Sequence, residues 1–180
     1  MAKHAWQMPG LTRPYRYKTA QRANPEGNPM SRPMSRPMFR KVSDTLFVSP
    51  QISVADVAEA KALDIALIVN NRPEDESADQ TPGDRIAAAA SEAGIGYVAI
   101  PVSHAGFSEA QMKAMADALG GAQGPVLAYC RSGTRSTLLW ALAEASRGGN
   151  PQKIAAQAAE AGYDIGPVRA MVDMLAAGRD

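Results

Sequence analysis

Pro125-Val126-Leu127-Ala128-Tyr129-Cys130-Arg131-Ser132-Gly133-Thr134-Arg135-Ser136 is the stretch whose reading decides the fold. Residues 125–129 form a short apolar run behind a proline, as expected of a strand buried on both faces. The run stops at Cys130 and gives way to a polar loop containing one glycine. From about Arg135 to Ser146 the apolar residues return in a pattern that reads as a helix.

A strand, a short glycine-bearing loop and a helix start have two linked chemical consequences. Backbone N–H groups of the loop and of the first helical turn converge on one point, which makes a site for an anion. The same field stabilises a thiolate, so Cys130 is the candidate nucleophile. Arg135 offers a planar fork to two oxygens of a bound oxyanion, a geometry that lysine cannot match. Gly133 suits a left-handed or close-approach position. Thr134 and Ser136 carry hydroxyls of which one could bond the sulfur, and Arg131 and Ser132 complete the anion-binding loop. Arg131 reads either as an outward charge that attracts anionic substrate or as a plain surface charge. The competing reading of Cys130 is an inert core cysteine, the common fate of a free thiol. Glycine at plus three, arginine at plus five and hydroxyls around them are not what such a cysteine needs.

Outward from this loop, strands and helices alternate. Leu46-Phe47-Val48 reads as a strand, and 53–63 as a helix with Ser53 at its N-cap and Asp56 as capping-box partner. A continuous apolar strand at 65–69 precedes a polar loop at 70–80. Thr81 as cap, with Pro82 at the first helical position, opens a helix that Gly94 closes. A strand at 97–102 follows. Ser108 and Gln111 then form the capping box of a helix that runs to Leu119 and stops at Gly120-Gly121. Beyond 146, Asn150-Pro151 caps a helix ending near Gly162, and Pro167 starts the last, with Val168, Met171, Val172 and Leu175 on one face. This order predicts an α/β fold, a mostly parallel central sheet with helices on both faces and ligands at the carboxyl ends of its strands.

The chain of 180 residues is long enough for one cored domain and too short for two ordinary ones. Its apolar fraction of 46% and charged fraction of 21% are those of a globular protein. No apolar run of about eighteen residues is present, which argues against a membrane span. One cysteine permits neither an intrachain disulfide nor a multi-cysteine metal cage, and His4 and His104 make no metal-ligand spacing. The expectation is therefore no metal, no cofactor and a reducing, cytoplasmic location.

Charge marks a boundary. Residues 1–41 hold nine Lys or Arg against the single acid Glu26, so the net +1 of the chain leaves about −7 for the remainder. Six prolines and little apolar periodicity in the first forty residues predict disorder over 1–38. Met30-Ser31-Arg32-Pro33 and Met34-Ser35-Arg36-Pro37 form a short repeat compatible with translation starting at Met30, Met34 or Met38. Prolines oppose the amphipathic helix of a transit peptide, and no motif supports a nucleic-acid arm, so a solvated tail is expected. The domain proper is expected at 39–147, with a helical extension at 148–180 packed upon it.

Phe39-Arg40-Lys41-Val42-Ser43, Leu46 through Gln51, Val69-Asn70-Asn71-Arg72-Pro73, Ile100-Pro101-Val102 and Ala128 through Ser136 together resemble the bacterial phosphatase-like domain found fused to metallo-β-lactamase-type hydrolases. The likeness spans about residues 39–145. It implies a cysteine-phosphatase-like fold, similar to dual-specificity and tyrosine phosphatases, although many members are labelled sulfur transferases. It also implies a functional link to a metallo-β-lactamase-type hydrolase.

Within the resemblance, two departures bear on chemistry. Tyrosine phosphatases place His before the cysteine and five residues before the arginine. Here Tyr129 precedes Cys130, and four residues separate it from Arg135, the loop length of rhodanese-type sulfurtransferases. The acid that follows the Ile-Pro-Val segment in dual-specificity phosphatases is replaced by His104, either a substitute acid or an exposed loop histidine. Glu74, Asp75 and Glu76 are rival acids, or simply a charged, solvated loop. The first expectation is a cysteine-dependent hydrolase of a phosphate ester, using Cys130, Arg135 and His104. A sulfurtransferase working through a Cys130 persulfide is second, and a catalytically weak oxyanion or phosphoprotein-binding module is third. The partner in each case is a phosphorylated or sulfur-containing anion.

Overall fold

In the computed structural model, which describes residues 39–178, five strands form one sheet in the order β1-β2-β5-β3-β4. These are β1 (Arg40–Lys41), β2 (Leu46–Ser49), β3 (Leu67–Asn70), β4 (Gly96–Ala99) and β5 (Val126–Tyr129). The pairs β2–β5, β3–β5 and β3–β4 are parallel, and β1 adds an antiparallel edge to β2. The basic tail expected at 1–38 lies outside the described residues. Arg40 and Lys41, counted with that tail by charge, belong to the sheet.

Side-chain alternation along β5 explains the layering. Val126 and Ala128 face one apolar cluster, and Leu127 and Tyr129 face the other. The Leu127 side is covered by α1 (Val57–Ala62) and α2 (Gly83–Glu92), through Val57, Ala60, Ile86 and Ala90. The Ala128 side is covered by α3 (Glu109–Gly121), α4 (Thr134–Ser146), α5 (Pro151–Glu160) and α6 (Arg169–Ala177). Helices thus lie on both faces. The chain steps from β2 to β3 to β4 on one face, then returns to β5 in the middle through α3 on the other. That reversal places a crevice at the carboxyl ends of the central strands.

α4 is the central helix of its layer. Nine of its thirteen residues are buried, including the whole run from Ser136 to Ala143, so this helix is covered nearly all round. Local signals set most other boundaries. The Asp56 carboxylate accepts from the Ser53 N–H at 2.7 Å, Ser108 and Gln111 form both halves of a capping box, and Asn150 Oδ1 accepts from the Lys153 N–H at 3.0 Å.

Two expectations are corrected. Pro82 is the N-cap residue of α2 and not its first helical position, and the Gly83 N–H is satisfied by the Glu74 carboxylate at 3.2 Å, not by Thr81. The reason is tertiary, because the loop after β3 folds back over the helix start. On α6, Val172 is buried, but Met171 is exposed together with Met174. Val168 and Val172 of the expected face are in the core and Leu175 packs against it, so only Met171, at the edge of that face, departs from the expectation.

These positions predict different costs of truncation. Leu139→Ala, in the enclosed middle of α4, should lose about 2–5 kcal/mol of unfolding free energy in urea titration. Met171→Ala should change it by no more than about 0.5 kcal/mol.

Candidate active site

Three strand ends converge where the sheet order reverses. The Cys130 N–H donates to the Ser49 carbonyl at 3.4 Å, the Asn71 N–H to the Tyr129 carbonyl at 2.8 Å, and the Gln51 N–H to the Arg131 carbonyl at 3.4 Å. The exits of β2, β3 and β5 are thereby stitched together beyond their ladders. Asn71 ties in the fourth exit by donating from Nδ2 to the Ile100 carbonyl at 3.0 Å.

Within the loop, the backbone turns around the sulfur. The Gly133 N–H donates to Cys130 Sγ at 3.1 Å, and the Gly133 carbonyl accepts from Thr137 Oγ1 at 3.0 Å. Gly133 is the N-cap of α4 with φ of +90°, so it needs the conformational freedom of glycine. A Cβ there would also collide with the hydroxyl and ring of Tyr163 and meet Val48 Cγ1 at 3.0 Å. Cys130 itself is fully buried beneath this turn.

Arg135 is fixed by two contacts. Nη1 donates to the Val102 carbonyl and Nη2 to Glu76 Oε2, both at 2.8 Å. Two of its five N–H donors are engaged in this way. Burial works against the charged form of Arg135, but the hydrogen bond it donates to Glu76, with the Coulombic attraction of that carboxylate, outweighs burial and raises its pKa.

Glu76 is the hinge of a buried charge network. Its Oε2 also accepts from Arg72 Nε at 2.8 Å, so two guanidinium groups share one carboxylate oxygen. Arg72 completes its fork on Gln51 Oε1 at 2.8 Å and Ser77 Oγ at 2.6 Å. The hydrogen bond from Arg135, aided by Arg72, outweighs burial and lowers the Glu76 carboxyl from 4.5 to about 2. With two of its N–H donors held by Val102 and Glu76, Arg135 keeps three donors for a bound anion. Among the described residues there is no cluster of three or more His, Cys, Asp or Glu able to hold a metal, and no helix long and apolar enough to cross a membrane.

The residues singled out in sequence divide accordingly. Cys130, Gly133, Arg135 and Ser136 come together, with Ser136 Oγ buried and without a partner. Thr134 turns to solvent and accepts from Ser132 Oγ at 3.1 Å, so Ser136 is the inward hydroxyl of the two. Arg131 is exposed at the rim. His104 sits on an exposed turn two residues past Val102, whose carbonyl holds Arg135, and makes no hydrogen bond among the described residues. Glu76 is corrected from a solvated loop charge to the partner of both arginines, because the loop after β3 folds over the helix start of α4. Gln51, Arg72, Arg40 and Tyr163 were not assigned to the site from sequence. Arg40, Gln51 and Arg72 had a signal there only as members of the stretches that carry the family resemblance, and Tyr163 had none.

Comparison with known proteins places the fold in a family. Residues 38–147 match the family described as "Beta-lactamase hydrolase-like protein, phosphatase-like domain". A beta-lactamase hydrolase-like protein of Agrobacterium fabrum is 34% identical over 108 residues, 60% of this chain and 25% of that protein. One from Xylella fastidiosa strain Temecula1 is 31% identical over 126 residues, 69% of this chain and 29% of its own length. The aligned part is therefore between a quarter and a third of those longer relatives. A candidate phosphatase of Neisseria meningitidis Z2491 superposes with a TM-score of 0.68 at 32% identity, over 76% of this chain and 97% of that one. TpbA of P. aeruginosa, at 20% identity and a TM-score of 0.52 over 77% and 82% of the two chains, shares the fold. By its matched span and by its likeness to these proteins, the chain belongs to the phosphatase-like domain family of the beta-lactamase hydrolase-like proteins.

Proposed function

We propose that the protein is a cysteine-based hydrolase of phosphate esters with Cys130 as its nucleophile. The observation that carries this reading is the Gly133 N–H held at 3.1 Å on Cys130 Sγ, at the N-terminus of α4, with Arg135 anchored beside it. Backbone donors at a helix start favour the thiolate and present an anion-binding concavity. The Cys130 thiolate attacks phosphorus, forming an S–P bond as the P–O bond to the leaving group breaks. Loop amides and the free donors of Arg135 hold the non-bridging oxygens as charge builds. The departing oxygen takes a proton, for which His104 is the assigned donor. Water then attacks phosphorus, the S–P bond breaks, and phosphate and thiolate are released. Ser136 Oγ, buried and unpartnered, serves the sulfur as it leaves. A functional pairing with a metallo-β-lactamase-type hydrolase belongs to the same proposal, suggested by the relatives' names.

A second reading rests on a specific observation. Only four residues lie between Cys130 and Arg135, and His104 stands on an exposed turn without a hydrogen bond. Sulfur transfer needs no proton on a departing alkoxide. In that reaction the thiolate attacks the outer sulfur of thiosulfate, sulfite leaves, and cyanide removes the sulfur as thiocyanate while regenerating the thiolate.

One experiment separates the two. Incubation with an aryl phosphate, and separately with thiosulfate plus cyanide, each beside Cys130→Ser, should give Cys130-dependent phosphate release. Thiocyanate without phosphate would transfer the assignment to the second reading, and activity retained in Cys130→Ser would refute both.

His104→Ala should slow esters with poor leaving groups by roughly 10²–10⁴-fold while sparing activated aryl phosphates. Equal effects across a series of esters would remove His104 from the proton transfer.

Glu76→Gln tests the charge network. A carboxyl whose pKa is depressed by folding contributes stability above its unfolded value of 4.5, and loses that contribution as pH falls through about 2. The variant should therefore be less stable than the parent in urea at pH 6, and the gap should narrow from pH 4.5 towards 2.

A further inference from the structure

The hydroxyl of Tyr163 is buried and has no hydrogen-bond partner among the described residues. Tyr163 lies in the turn after α5, beyond residue 147, where the family match stops. It is 9% exposed, and its hydroxyl is enclosed and unpartnered. A buried hydroxyl left unpaired costs its desolvation, so phenylalanine would serve packing better at this position.

What surrounds the ring indicates its role. The ring and hydroxyl occupy the space that a Cβ on Gly133 would need, so Tyr163 rests directly against the turn whose N–H is bonded to Cys130 Sγ. From its other side, the Arg40 guanidinium stacks over the ring at 5.2 Å from the centroid. The same guanidinium donates from Nη1 to the Ala161 carbonyl at 3.1 Å. Edge strand β1 and the end of α5 thereby clamp the phenol on the back of the loop. Burial raises the Tyr163 pKa against the lowering effect of Arg40, and the charge on Cys130 adds to the rise, so the phenol keeps its proton at neutral pH.

We propose that Tyr163 is a positioning residue for the Cys130 loop, its ring setting the Gly133 turn and its hydroxyl kept as a donor for the negative charge carried by that loop. This rests on the reading of Cys130 as a working thiolate. It assigns to the C-terminal helical segment a part in the chemistry as well as in the core.

Tyr163→Phe removes only the oxygen, and Tyr163→Leu also removes the ring. Three quantities are measured in the full chain: thermal midpoint, turnover with whichever of the two substrates is processed, and the pH profile of Cys130 alkylation by iodoacetamide. Tyr163→Phe should match or exceed the parent in thermal midpoint, lower turnover about tenfold or more with little change in KM, and move the alkylation profile to higher pH, as expected on losing a dipole that favours the charged form of the sulfur. Tyr163→Leu should lose more turnover and also stability. A Phe variant with parental turnover and alkylation profile would overturn the role of the hydroxyl, and a Leu variant with parental kinetics would overturn that of the ring. Alkylation needs no substrate. If neither substrate is turned over, a shifted profile still supports the proposal while the assigned reactions fail.

Discussion

Gly133 has to be a glycine for two reasons that act at one atom. Its φ of +90° belongs to the left-handed region, and the space beside its Cα is filled by Tyr163 and Val48. Only there does the backbone turn sharply enough to bring an N–H onto the sulfur of the residue three places earlier while also starting α4. A side chain at this position would displace the N–H, the helix start and the phenol together. The donor to Cys130, the placement of Arg135 two residues on, and the seat of Tyr163 all depend on this backbone path.

Charge is the second constraint. Arg72 is almost wholly buried, and a lone guanidinium there would be costly. Glu76 compensates it and simultaneously holds Arg135, so one carboxylate couples the loop after β3 to the loop after β5. This holds the arginine beside Cys130 in one orientation, between the Glu76 carboxylate and the Val102 carbonyl. The buried charges of this network all remain hydrogen-bonded.

The molecule therefore has a site built in two layers. Strand exits and loop amides, held by hydrogen bonds of the sheet's own carbonyls, define where the sulfur sits. Around them, Glu76, Val102 and Tyr163 come from three other parts of the chain and set the side chains or the turn. The match to residues 38–147 covers the first layer and part of the second, whereas Tyr163 reaches the loop from outside it.

Much was legible locally. Continuous apolar runs marked the buried parallel strands, and Ser108-Gln111 and Asn150-Pro151 marked helix starts, because caps are satisfied by residues within one turn. The loop from Cys130 to Ser136 could be read for the same reason: its donors, glycine and arginine are contiguous, so their spacing already implies convergence. β1 was missed because two basic residues carry no strand period, and their pairing with Phe47 and Val48 comes from the neighbouring strand. The partnership of Glu76 with Arg72 and Arg135, the satisfaction of Gly83 by Glu74, and the contact of Tyr163 with Gly133 lie across gaps that no local pattern spans. What the sequence by itself determined was the α/β order and the strand–loop–helix path from Val126 to Ser146 that carries Cys130. Only the tertiary structure decided which charges and which phenol surround that loop, because those contacts are chosen by how the sheet order reverses and by how distant segments are packed against its carboxyl end.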